Sequence, residues 1–168
     1  MNKLLRLFKH RWLDESDARR ALGRGALERI EARVAASERH HSGEIRVCVE
    51  AGLPLSYLWR GAGARERAVA LFGKLRVWDT EHNNGVLIYL LMAEHRIELV
   101  ADRGIDRRVD TAWWQQLAAD MSTAFKAGRF EAGLNTAIDA IDTLLVRHFA
   151  LTGDAANPNE LPDAPVVQ

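Results

Sequence analysis

Residues 86–92, from Val86 through Met92, are an unbroken apolar run between Gly85 and the turn-like pair Ala93 and Glu94. The run is too short for an ordinary amphipathic helix, and it shows no polar positions at helical spacing. A run of this kind between turn signals is a strand buried on both faces. Such a strand needs neighbours on either side and helices above and below it. The run therefore commits the chain to a layered α/β fold.

The flanking segments supply those partners. Residues 96–101 alternate, with Ile97, Leu99 and Ala101 inward, and predict a hairpin with the apolar run. Residues 44–50 also alternate, with Ile45, Val47 and Val49 on one face and Arg46 and Cys48 on the other. Gly52 and Pro54 end that strand, and residues 53–63 read as an irregular connection. Helical spacing links Leu27, Ile30 and Val34 within residues 24–41, and Ala68, Val69, Phe72 and Leu75 within residues 64–75. It also links Trp113, Trp114, Leu117, Met121 and Phe125 in a helix that Thr111 can cap. In residues 130–149 it links Leu134, Ile138, Ile141, Leu145 and Phe149. Residues 14–17 offer N-caps for a further helix upstream.

Strand–helix–strand implies a parallel pair with a right-handed crossover, and the hairpin adds an antiparallel third strand. The expected fold is a three-layer α/β/α sandwich with a short mixed central sheet, Rossmann-like in its layering. Residues 1–23 read as an N-terminal helical lead-in and residues 24–150 as the α/β domain. Residues 151–168, which hold three of the four prolines, read as a disordered tail.

The 168 residues suit one domain with a real core, and 48% are hydrophobic. Lys plus Arg and Asp plus Glu each number 23, so the formal net charge is zero. That balance argues against a nucleic-acid binder and leaves self-association open. The lone Cys48 suits a reducing, cytoplasmic compartment and reads as an inert buried thiol. Arg6, Lys9, His10 and Arg11 interrupt the N-terminal apolar residues, which argues against a signal peptide. This stretch reads as a basic amphipathic lead-in packed on the domain, with contact to anionic lipid as the alternative. No membrane span is expected.

The topology brings three segments to one edge of the sheet: Ser42, Gly43 and Glu44; the loop from Asp79 to Asn84; and the stretch from Asp102 to Asp106. Glu44, Asp79, Glu81, Asp102 and Asp106 bring carboxylates there, and Asn83 and Asn84 bring amide oxygens. Oxygen donors of this kind suit a hard cation, Ca²⁺ or Mg²⁺. The competing reading makes them turn and cap residues neutralised by Arg103, Arg107 and Arg108. Strand alternation places Arg103 on the opposite face from Asp102, which favours the cation. His40, His41 and His82 can approach this edge, but read better as surface histidines than as zinc ligands. No nucleophile triad, phosphate-cradling glycine loop or organic-cofactor motif is present.

The string from Ser42 to Val47, that from Ala64 to Ala68, that from Asn84 to Tyr89 and that from His95 to Ile105 together resemble the TPM domain family. Its members include thylakoid-lumen and bacterial envelope proteins. The resemblance covers about residues 27–149 and is most specific at Asn84, Gly85, Val86, Leu87 and Ile88. It implies a three-layer α/β/α sandwich, Ca²⁺ binding, and in some members an acid phosphatase activity or an accessory role at membrane complexes. The chain looks like the soluble cytosolic branch of bacterial members, and Asp102 is the ligand that the resemblance carries over. Three functions remain open. They are a divalent-cation-binding accessory module with a protein partner, a weak metal-assisted phosphomonoesterase, and a metal-free adaptor.

Overall fold

A computed structural model describes residues 3–153 and 155–168. The apolar run becomes strand β2 (Gly85–Leu91), buried along its whole length. Strand β1 (Glu44–Glu50) pairs with it in parallel, and strand β3 (Arg96–Ala101) pairs antiparallel on the other side. Flanked on both sides, β2 has no free backbone edge, and helices cover both its faces. This is why it can be apolar at every position. Ile88 sits opposite Val47 in one neighbour and Leu99 in the other, so an apolar row crosses three strands.

The alternation of side chains sends that row to one layer of helices. Ile45, Val47, Val49, Ile88, Leu90 and Leu99 pack with α2 (Glu15–Leu22), α3 (Ala26–Ser37), α7 (Thr111–Lys126) and α8 (Phe130–Phe149). Cys48, Leu87, Tyr89, Leu91 and Val100 face the opposite way, against α5 (Ala64–Lys74). The expected three-layer α/β/α architecture is present. The described residues also include α1 (Lys3–Trp12), α4 (Leu55–Trp59) and α6 (Arg103–Asp106).

Four local expectations are corrected. Residues 155–168 do not form a disordered tail: they lie along the sheet, and strand β4 (Val166–Val167) pairs in parallel with β1 at Cys48 and Val49. The sheet order is therefore β3-β2-β1-β4. The physical reason is the free edge of β1, whose backbone groups need partners. Gln168 N donates to Val49 O, and Ala51 N donates to Gln168 O. Secondly, residues 53–63 are not wholly irregular, because α4 forms within them. Thirdly, the cap of α7 is Asp110, whose carboxylate accepts from Ala112 N, rather than Thr111. Lastly, α5 buries Ala64, Ala68 and Leu71, while Val69 is exposed. Several stripes fit so short a helix, and packing against β2 and β3 selects the one used.

Candidate functional site

The site lies where β2 begins and β3 ends. Asp102 N donates to Gly85 O at 2.9 Å, and Gly104 N donates to Asn83 O at 2.9 Å, stitching the two segments together. Gly104 is required by this closeness. A Cβ there would lie 2.4 Å from Asn83 O and 2.6 Å from His82 O, both rigid backbone atoms. Gly85 is required likewise, since its Cβ would lie 2.0 Å from Val77 O.

Asp102 caps α6. Its Oδ1 accepts from Arg103 N at 2.7 Å, while its Oδ2 is buried without a hydrogen-bond partner. Asn84 is fully buried. Its N–H donates to Thr80 Oγ1, its Nδ2 donates to Ser42 Oγ at 3.2 Å, and its Oδ1 has no partner. Two buried acceptor oxygens thus stand unsatisfied beside one backbone junction. Leaving such a group unmade costs about 1–3 kcal/mol, so each needs a reason to persist.

The other predicted ligands are placed differently. Asn83 has a left-handed backbone (φ +53°), and its Oδ1 accepts from Arg103 Nε at 3.0 Å. Asp79 is exposed and held by Arg76 at 2.5 Å. The Glu81 side chain is exposed, and its N–H donates to the Glu160 carboxylate at 3.0 Å. Asp106 is exposed and lines a separate groove with Arg65, Glu98 and Trp114. The backbones around Asn83, Asn84 and Asp102 therefore meet at one junction, while Asp79, Glu81 and Asp106 have other surroundings. Among the described residues, no three His, Cys, Asp or Glu side chains gather where they could hold a metal ion. A cation here would depend on amide and carbonyl oxygens with Asp102 as the carboxylate.

Glu44 is committed elsewhere. Its carboxylate accepts from Glu160 N and Leu161 N, tethering the C-terminal segment, and burial pushes its pKa up to about 7. His41 is buried against Ser37 Oγ and the backbone of Gly43, and burial lowers its pKa. His40 and His82 are exposed. The expectation for Arg103 is corrected: β3 stops at Ala101 and α6 starts at Arg103, so strand alternation no longer applies and the side chain turns back to Asn83.

One feature has no counterpart among the sequence expectations. His82, Asn83, Arg103, Gly104, Arg107 and Arg108 line a groove of about 380 Å³. Arg108 lies over the Phe149 ring at 4.8 Å and donates to Gly104 O. Among the described residues, none of the three arginines forms an ion pair with a carboxylate; Arg103 donates to Asn83 and Arg108 to Gly104 O instead. Three arginines within six residues were the available signal; their shared groove depends on the turn after β3.

The chain matches the TPM domain over residues 16–144. It is similar to the BA42 protein of the psychrophilic bacterium Bizionia argentinensis, solved by NMR. The TM-score is 0.71 and the identity 27%, over 84% of this chain and 91% of that one. It shares its fold with the N-terminal domain of a protein from P. gingivalis, with a TM-score of 0.63 and 18% identity over 79% and 83% of the two chains. Among curated proteins, none matches the chain. The family match spans most of the 168 residues, and the chain belongs to the TPM domain family.

Proposed function

We propose that this TPM domain is a cytoplasmic, divalent-cation-binding interaction module, with Asp102, Asn84 and Asn83 as the protein donors. The reading rests on the pair of buried, unpartnered oxygens, Asp102 Oδ2 and Asn84 Oδ1. Both are hard oxygen donors of the kind that Ca²⁺ or Mg²⁺ accepts. With one carboxylate in the donor set, binding should be weak, with Kd of order 10⁻⁴–10⁻³ M. The cation would order the junction between β2 and β3, and a protein partner would read the ordered edge. Calorimetry with Ca²⁺ tests this. Wild type should bind at least tenfold more tightly than Asp102→Asn, which keeps the shape and removes the charge. Equal affinities would leave these residues as caps and turns.

The basic groove beside Asp102 favours a second reading, a metal-assisted phosphomonoesterase in which Arg103, Arg107 and Arg108 hold the phosphate. A cation next to such a phosphate would supply Lewis-acid polarisation. No activated nucleophile accompanies the groove, so turnover on phosphomonoesters should stay below about 1 s⁻¹. Faster turnover that Asp102→Ala abolishes would establish this reading instead.

A further inference from the structure

We propose that α1 and α4 together form a docking surface for an anionic lipid bilayer. The argument begins with how α1 is mounted. A helix on a folded domain ordinarily buries its apolar side; on α1 the polar side chains Arg6 and His10 are turned inward. Arg6 Nε pairs with Glu94 Oε1 at 2.7 Å, and Arg6 also donates to Ala62 O at 2.8 Å. The His10 side chain is fully buried, its Nε2 3.0 Å from Glu94 Oε1 and its Nδ1 accepting from Leu53 N at 2.9 Å. The mount is tight: a Cβ on Gly52 would lie 2.5 Å from His10 O.

Fastening α1 in this way leaves aromatic residues facing water. Phe8 is 61% exposed and Trp12, one turn further on, 79%. The neighbouring α4, which touches α1, presents Leu55 at 52% and Trp59 at 80%. Among the described residues, four of the seven large hydrophobic side chains that are exposed therefore lie on these two short helices. Exposed large apolar side chains concentrated on two touching helices mark a surface that meets something. Tryptophan, with its apolar ring and N–H, is suited to the boundary between lipid chains and headgroups.

Charge selects the occupant. Besides Arg6 and His10, which face Glu94, residues 3–12 carry Lys3, Lys9 and Arg11 and no acid, although the whole chain is neutral. A second copy docked by the same patch would set these cations against themselves. A protein interface core also tends to exclude lysine. An anionic bilayer accepts the aromatic rings and the flanking cations at once. No described helix is long and apolar enough to cross a membrane, so contact at the interface is the geometry available. This inference is independent of the cation site.

Flotation of the full chain with vesicles tests it. The chain should float with mixed phosphatidylcholine–phosphatidylglycerol vesicles and stay behind with pure phosphatidylcholine, and added salt should weaken the binding. The double variant Trp12→Ser, Trp59→Ser should lose roughly tenfold or more in vesicle affinity with an unchanged thermal melt, since both side chains are largely in water. Trp78→Ser, at a tryptophan 51% exposed elsewhere, should bind as wild type. Arg11→Glu should weaken binding to the anionic vesicles. Three results would each overturn the proposal: no flotation with anionic vesicles, equal losses from Trp78→Ser and the double variant, or a dimer that the double variant dissolves in the absence of any vesicle binding.

Discussion

Glu38 shows how a single buried residue can make the stability of the fold depend on pH. It follows α3, and its Oε1 accepts from Ile45 N at 2.8 Å, locking the entry to β1. Its Oε2 is buried, with no N–H donor and the Asp163 carboxyl close by. Burial first, and then the nearby Glu44 carboxylate, push its pKa up to about 9. Glu44 itself is raised to about 7 by burial. Both values lie above the ordinary carboxylate range, so between that range and the raised values the folded state holds more protons than the unfolded one. The associated stability is fully present below the unfolded pKa and is lost as pH rises through about 7 and about 9. Melting temperature should therefore fall on going from about pH 5 to about pH 9. Glu38→Gln keeps the acceptor for Ile45 N without the ionisation, so it should flatten the slope and melt higher than wild type at about pH 9. An identical slope in the two proteins would remove Glu38 as its source.

The strands show why burial and edges decide the outcome at the scale of elements. Ile88 in β2 is fully buried between apolar partners, and Ile88→Ala should cost roughly 2–5 kcal/mol, read as a shift in denaturation midpoint. A midpoint that barely moves would contradict the packing. β4 has a different role. It is two residues long, yet it covers the edge of β1, and its approach places Ala164 O where it accepts from Arg46 at 3.1 Å. The Gln168 amide lies 3.6 Å from Cys48 Sγ. Cys48 is buried, and that burial, together with Glu50 nearby, pushes its thiol up to about 12. It should resist thiol reagents in the intact chain. Deleting residues 164–168 should open the β1 edge, lower the melting temperature and make Cys48 reactive. Equal modification rates in the intact and shortened chains would mean that β4 does not protect that edge.

At the scale of the whole molecule, a ligand that binds only the folded chain must raise its stability. If the junction of β2 and β3 holds Ca²⁺ with a Kd near 1 mM, then 10 mM Ca²⁺ should add about 1.4 kcal/mol, visible as a modest rise in melting temperature. Asp102→Asn should lose that rise while Trp12→Ser keeps it, because α1 and the junction are separate sites. A rise of equal size in wild type and Asp102→Asn would indicate binding elsewhere on the surface.

Much of this architecture was legible from local pattern. The apolar run at residues 86–92 is recognisable as a central strand because only a strand covered on both faces can be apolar at successive positions. Helix α8 is legible because Leu134, Ile138, Ile141 and Leu145 keep one stripe over about three turns, and all four are buried. Element order then implied the hairpin, and the hairpin placed Asp102 beside Asn83 and Asn84. The remaining features depend on groups distant in sequence. The prolines and small polar residues of the tail describe only its own weak propensity, whereas its order comes from the open edge of β1 and from Glu44, over 100 residues earlier. Arg103 reaches Asn83, 20 residues earlier, because the chain turns into α6 after β3. The inward placement of Arg6 and His10 on α1 is set by Glu94, more than 80 residues away. Periodicity identified which residues share a face of an element; which partner that face meets was decided only when the layers came together.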